Sequence, residues 1–160
     1  MKFAVDTGAA LSLASSAHFQ KIVNLYDLII TEAIEAELIQ FAAYNDDLGL
    51  KAQEILKMKL SKKQPHHLLP LFLEKGEIEV FSLAWEEKMP ALTDDVRAAR
   101  VVREKYSVEV RPSFYVLLLL YKNKKISKEE LIIDINSILI RRNWLTGVLW
   151  GYAQNLIKNL

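Results

Sequence analysis

Two spacings of apolar residues alternate along this chain. Short β-compatible runs, Phe3-Ala4-Val5, Leu28-Ile29-Ile30, Ala91-Leu92-Thr93 and Val108-Glu109-Val110, predict buried strands. Longer stretches between them repeat their apolar residues at helical intervals. After the first run the turn Asp6-Thr7-Gly8 leads into a predicted helix from Ala9 to Ala17. Thr31 caps a helix from Glu32 to Tyr44, on which Ile34, Leu38, Phe41 and Ala42 form one apolar face. Asp46 and Asp47 open another, ending near Leu60. From Ser61 to Pro70 two prolines, two lysines and His66-His67 break the pattern and predict a surface loop. Gly76 precedes a helix from Glu77 to Lys88 that Pro90 stops, and a further helix runs from Val96 to Lys105. Pro112 starts a leucine-rich helix, and the rest of the C-terminal part, 112–160, reads as helical. Short strands separated by helices of this length predict an α/β fold of three layers, α/β/α, around a short, mostly parallel sheet of four or five strands.

Composition narrows the chemistry. A chain of 160 residues, half of them hydrophobic, suffices for one core, which predicts a single domain over 1–160. No stretch near the start combines a basic region, a long apolar run and a small-residue cleavage site, and the longest apolar run, Tyr115 to Tyr121, is too short to span a bilayer. These features predict a cytoplasmic protein without a membrane partner. With no cysteine and only His18, His66 and His67, thiolate chemistry and a zinc cluster are excluded, so any metal would be held by oxygen. The net charge of +1 is uninformative by itself, but setting four carboxylates aside in a metal site leaves the remainder at +5, which suits a phosphate-bearing partner.

The carboxylates carry the functional signal. Ligands of open parallel sheets bind beyond the carboxyl ends of the strands, and Asp6 and the pair Asp94-Asp95 fall at two such ends. An Asp there is also a common helix N-cap. At ~100° per residue, Glu37 lies about 60° from Ile34 and about 40° from Phe41, at the border of the apolar stripe, whereas Glu32 and Glu35 point away. Glu77 shares a face with Phe81 and Ala84, while Glu79 and Glu86 are expected on the far side. A surface ion pair or a first-turn position at the helix dipole would equally explain Glu37 and Glu77. Carboxylates brought together repel, and a hard divalent ion such as Mg2+ or Mn2+ relieves that repulsion while polarising phosphate and activating water. Phosphodiester hydrolysis fits this equipment.

These residues resemble the PIN domains, the nuclease fold of the toxins in VapBC-type toxin–antitoxin pairs. The matching pieces are Val5-Asp6-Thr7, Thr31 through Leu38, Gly76-Glu77 through Leu83-Ala84, and Thr93-Asp94-Asp95, in that order, with Gly-Glu, Asp-Asp and Arg100 similar to an archaeal-type subgroup. The resemblance extends over about 3–110 and fades beyond Val110. It implies that Asp6, Glu37, Glu77 and Asp95 bind the metal and carry catalysis, with Asp94 able to stand in for Asp95. It also implies an RNA substrate, a small antitoxin protein and a homodimer. Where the family usually has Ser or Asn after Asp-Thr, this chain has Gly8.

Other features have ordinary explanations. Arg97, Arg100 and Arg103 could meet phosphates but read as a solvated face, as does the basic loop of Lys122, Lys124 and Lys125. Arg141 and Arg142 before Trp144 could hold a nucleic-acid backbone and stack a base. Trp144, Leu145, Val148, Leu149 and Tyr152 nevertheless read as the apolar stripe of a packing helix, and His66 and His67 as exposed loop residues. A dehalogenase-type phosphatase needs a second Asp where Gly8 stands, a receiver domain needs its acidic pair after the first strand, and no Walker or dinucleotide glycine motif occurs. The competing function is a PIN-fold module that binds RNA or protein without cleaving, and metal-dependent cleavage of single-stranded RNA separates the two.

Overall fold

In the computed structural model, which describes residues 1–160, the first strand is also the middle of the sheet. Strands β1 (Lys2–Val5), β2 (Asp27–Ile30), β3 (Ser61–Lys62), β4 (Ala91–Leu92) and β5 (Val110–Arg111) are all parallel, in the order β3-β2-β1-β4-β5. Phe3 pairs with Leu28 on one side of β1, and Val5 pairs with Leu92 on the other. Chain order runs outward from β1 in one direction and then resumes beside it in the other. The topological switch point therefore lies between β1 and β4, and the crevice beyond their carboxyl ends is where a fold of this kind binds ligands.

Nine helices cover the sheet: α1 (Thr7–Ala14), α2 (Phe19–Leu25), α3 (Glu32–Ala42), α4 (Asp47–Lys57), α5 (Lys75–Glu87), α6 (Val96–Lys105), α7 (Tyr115–Lys122), α8 (Lys128–Arg141) and α9 (Gly147–Lys158). The result is a three-layer α/β/α fold with one contiguous core, in which Phe3, Phe19, Phe81 and Phe114 are the largest wholly buried side chains. Removing such a ring costs about 3–5 kcal/mol. Helix starts follow the expected chemistry: the Thr31 hydroxyl accepts from the Ile34 N–H and Asp46 from the Gly49 N–H. No helix is long and apolar enough to cross a membrane.

Several elements differ from the sequence expectation. The expected loop Ser61 to Pro70 contains β3, whose two exposed polar residues pair with Ile29 and Ile30 at the sheet edge and carry no apolar signal. The last strand is Val110–Arg111 rather than Val108 to Val110. The first helix starts at Thr7, because Asp6 caps it, and ends at Ala14, and a separate α2 follows that the pattern did not predict. Gly76 lies inside α5 rather than before it, and α7 begins at Tyr115, three residues after Pro112. Glu79, expected on the far side of its helix, is buried and accepts from the Ala33 N–H at the start of α3.

One buried polar cluster ties the C-terminal helices to the rest. Asp134 of α8 accepts from the Ser16 hydroxyl at 2.6 Å and the Ala17 N–H at 3.0 Å, and the His18 Nδ1 stands 2.7 Å away. Asp134→Ala leaves the buried Ser16 hydroxyl without its acceptor, while Ala17 and His18 can turn to water, so we expect a loss of about 2 kcal/mol in urea unfolding. A loss below about 1 kcal/mol, within the range of an ordinary surface change, would show that the cluster does not hold α8 in place.

Candidate functional site

Asp6 follows β1 directly and caps α1, its Oδ1 accepting from the Ala9 N–H at 2.6 Å. Beyond the neighbouring β4, Asp95 caps α6 through Oδ1 and the Ala98 N–H at 2.8 Å, while Asp94 turns inward and accepts from the Ser113 N–H at 2.8 Å. Thr31 sets the start of α3 so that Glu37, one and a half turns on, meets the Thr7 hydroxyl, which donates to Glu37 Oε2. Glu77 in the first turn of α5 accepts the Glu74 N–H through Oε2 at 3.1 Å.

Asp6, Glu37, Glu77, Asp94 and Asp95 all line one cleft of about 480 Å³, together with Thr7, Gly8, Glu74, Arg142 and Trp144. The five acids alone, Asp6 to Asp95, come from a stretch of about ninety residues. Each of these five acids is fixed by a protein donor on one oxygen, and Glu74 is a sixth acid on the cleft wall. The N-cap explanation is therefore correct for Asp6 and Asp95 and the first-turn explanation for Glu77, while Glu37 and Asp94 are held by the Thr7 hydroxyl and the Ser113 N–H.

The electrostatics are those of repelling acids. Burial pushes the Asp6 carboxyl up to about 7, against the Thr93 hydroxyl and the Ala9 N–H, and the charges of Asp94 and Glu77 push the same way. Burial also raises the carboxyl of Asp94, and Arg142 opposes that rise. The hydroxyls of Ser12 and Ser113 stand near enough to favour its charged form, yet neither makes a hydrogen bond of proper geometry. Asp94 Oδ2 is buried with no partner. Partial burial raises Glu77, with Asp95, Glu74 and Glu37 adding to it.

A hard divalent ion fits this donor set. The donors are all oxygens, one buried carboxylate oxygen is orphaned, and one arginine faces six acids. No three of these acids stand close enough to hold an ion among them. The arrangement suits an ion that keeps several waters and takes one or two carboxylates, as magnesium does.

Gly76 shows why a residue without a side chain precedes Glu77. A Cβ there would run into the Glu37 carboxylate and come within 2.9 Å of Ile34 Cδ1. Sequence reasoning weighed Arg142 and Trp144 as a nucleic-acid contact, favoured a packing role, and did not place them in the carboxylate cleft. Trp144 lies between α8 and α9 rather than on a packing stripe, with the Arg142 guanidinium 5.1 Å over its ring. Arg141 instead pairs with Asp47 at the surface. The row Arg97, Arg100 and Arg103 is not at the carboxylates: Arg100 and Arg103 line a separate groove against Val148, Leu149 and Tyr152, and Arg103 donates to the Val110 carbonyl. His66 and His67 are exposed, their N–H groups donating to Glu86.

A family model described as PIN domain matches residues 2–147. The chain belongs to the PIN-domain family, a nuclease fold, and the match runs past Val110, where the sequence resemblance fades, through Arg142 and Trp144. Among curated proteins no match was found.

Two consequences are measurable. Gly76→Ala should change folding stability by no more than about 1 kcal/mol, because the crowded atoms are the tips of flexible side chains and alanine favours a helix. By displacing Glu37 it should nevertheless lower manganese affinity, read as the ion-induced rise in melting temperature. An unchanged ion response would separate Glu37 from the site. The second concerns pH. An acid whose folded pKa is raised supports folding fully below its unfolded pKa, near 3.8 for Asp6, and loses that contribution as pH rises through about 7. Metal-free protein should therefore lose up to roughly 4 kcal/mol from this group between pH 4 and pH 8. Asp6→Asn, which keeps the cap, should flatten the profile. Equal profiles for the two proteins would contradict the burial argument.

Proposed function

We propose that the cleft is the active centre of a magnesium- or manganese-dependent ribonuclease, which acts as the VapC-like toxin of a toxin–antitoxin pair. The observation that carries this reading is the gathering of five carboxylates, each fixed by a protein donor on one oxygen, at the switch point of a PIN fold. Bound there, the ion would supply Lewis acidity to a phosphate oxygen and a more acidic water.

The chain's own residues account for the rest. Asp6 and Asp94, buried at the ends of adjacent strands, would hold the ion, with Asp95 and Glu37 on its flanks. Thr7 fixes the Glu37 carboxylate through its hydroxyl. Glu77 is half-buried and its carboxyl lies above the ordinary range, so its free oxygen is suited to take the proton of the attacking water. Water adds to phosphorus as the bond to the leaving ribose oxygen breaks, and that oxygen takes up a proton. An antitoxin and a second copy of the chain are partners in this reading. Exposed Leu145, Val148 and Tyr152, beside the arginine-lined groove, offer apolar surface for one of them.

One observation favours the alternative, a PIN-fold module that binds RNA without cleaving: no three acids converge as they stand. Purified protein with a single-stranded RNA decides between them. Wild type should cleave with manganese or magnesium and stop in a chelator, whereas binding without cleavage would establish the alternative. Glu37→Gln should lose 10–100-fold or more in cleavage, while its metal-free melting temperature stays equal or rises because repulsion is relieved. Wild type should gain about 2.7 kcal/mol from manganese at a hundredfold excess over Kd, and Glu37→Gln much less. Glu35→Gln removes only a surface pair with Lys62 and should match wild type within about 1 kcal/mol. A fall in metal-free stability with an intact manganese response would make Glu37 a structural residue.

A further inference from the structure

Arg142 is the single cationic side chain lining the carboxylate cleft, and it makes no ion pair there. No carboxylate comes within ion-pair distance of its guanidinium. Its Nε is buried without a hydrogen-bond partner, and Asp94 and Asp6 act on it only through space. A guanidinium whose Nε is buried without a partner is costly to keep unless something outside the chain engages the rest of its fork.

The side chain is nevertheless held in place. Arg142 caps the carboxyl end of α8, where the helix dipole favours a cation. Its N–H donates to the Ile138 carbonyl at 2.9 Å. Asn143 then turns the chain with φ of 55°, and the Trp144 N–H returns to the Leu139 carbonyl at 2.8 Å. This turn places the indole under the guanidinium. Through α8 the residue is also tied to the Asp134 cluster.

The floor opposite is bare backbone. A Cβ built on Gly8 would lie 3.6 Å from Asp6 Oδ1 and 3.7 Å from Arg142 Nη2, so one point of the cleft lies beside both the carboxylate and the fork. Glycine leaves that point open. An anion there would meet the guanidinium on one side and, on the other, the acid that would hold the ion.

We propose that Arg142, seated on Trp144, binds the scissile phosphodiester of the RNA over Gly8 and so serves as a substrate-holding residue of this centre. The proposal rests on the ribonuclease reading above. Every other charged side chain of the cleft is an acid and repels a phosphate, so the phosphodiester needs a cation beyond the metal ion. The planar fork of arginine supplies two parallel donors to phosphate, which lysine cannot.

The test compares Arg142→Gln, Arg142→Lys and the surface control Arg141→Gln with wild type in three measurements. These are manganese affinity from melting temperature, cleavage, and anisotropy binding of a labelled single-stranded oligoribonucleotide with calcium in place of manganese, its integrity checked on a gel. Arg142→Gln should bind the oligonucleotide about tenfold or more weakly and raise KM for cleavage, with manganese affinity unchanged or tighter because a nearby positive charge is gone. Arg142→Lys should show a smaller loss of the same kind and decides the matter should the glutamine variant not fold. Arg141→Gln should match wild type. Unchanged oligonucleotide binding overturns the proposal. A parallel fall in manganese affinity also overturns it, since the side chain would then organise the metal site. So does faster cleavage by Arg142→Gln, which would mark the guanidinium as a plug. If wild type binds the oligonucleotide but never cleaves, the ribonuclease reading falls and binding alone still decides the role of Arg142.

Discussion

Like charges crowded beyond the carboxyl edge of a parallel sheet are the constraint around which this protein is arranged. Five acids come from four separate segments, and each is anchored by a donor that uses one oxygen: two helix N-termini, a loop N–H, the start of α5 and the Thr7 hydroxyl. These donors favour the charged forms, while burial at Asp6 and Asp94 opposes them. The balance leaves five acids fixed in position, of which Asp6, Asp94 and Glu77 resist ionisation, a state that a cation would relieve. Geometry of this kind is preorganised for charge before any ligand arrives.

Much of the arrangement could be read from the amino-acid order, and for identifiable reasons. Phe3-Ala4-Val5, Leu28-Ile29-Ile30 and Ala91-Leu92 are apolar because both faces of their strands are covered, so β1, β2 and β4 were visible. The edge strand β3 was not, since an exposed two-residue strand needs no apolar residue. Glu37 stood out because it borders a buried stripe. Glu79 escaped notice because its burial comes from packing against the start of α3, which helical periodicity within α5 cannot report.

Arg142 and Trp144 could be named as a pair able to meet a nucleic acid, but not placed in the cleft. Their significance lies in a tight turn after α8 that brings a distant part of the chain back over Gly8, and no local pattern encodes that distance. The later part of the chain, where the sequence resemblance fades, completes the wall of the cleft opposite the acids. Its attachment through Asp134, Ser16 and Ala17 makes the position of that wall a property of the whole fold.

The meeting of Gly76 and Glu37 carries a consequence for how such a chain can change over time. The two residues belong to different helices, yet they share one volume: the room a methyl group would need at position 76 is already filled by the end of a side chain from position 37. Exchanging either one moves the other. A methyl group at 76 alone leaves a chain that folds with its acid displaced, whereas a shorter acid at 37 beside it leaves only Ile34 Cδ1 to yield, so descendants of this protein that keep the cleft in order pass through that neighbourhood by paired replacements on the two helices.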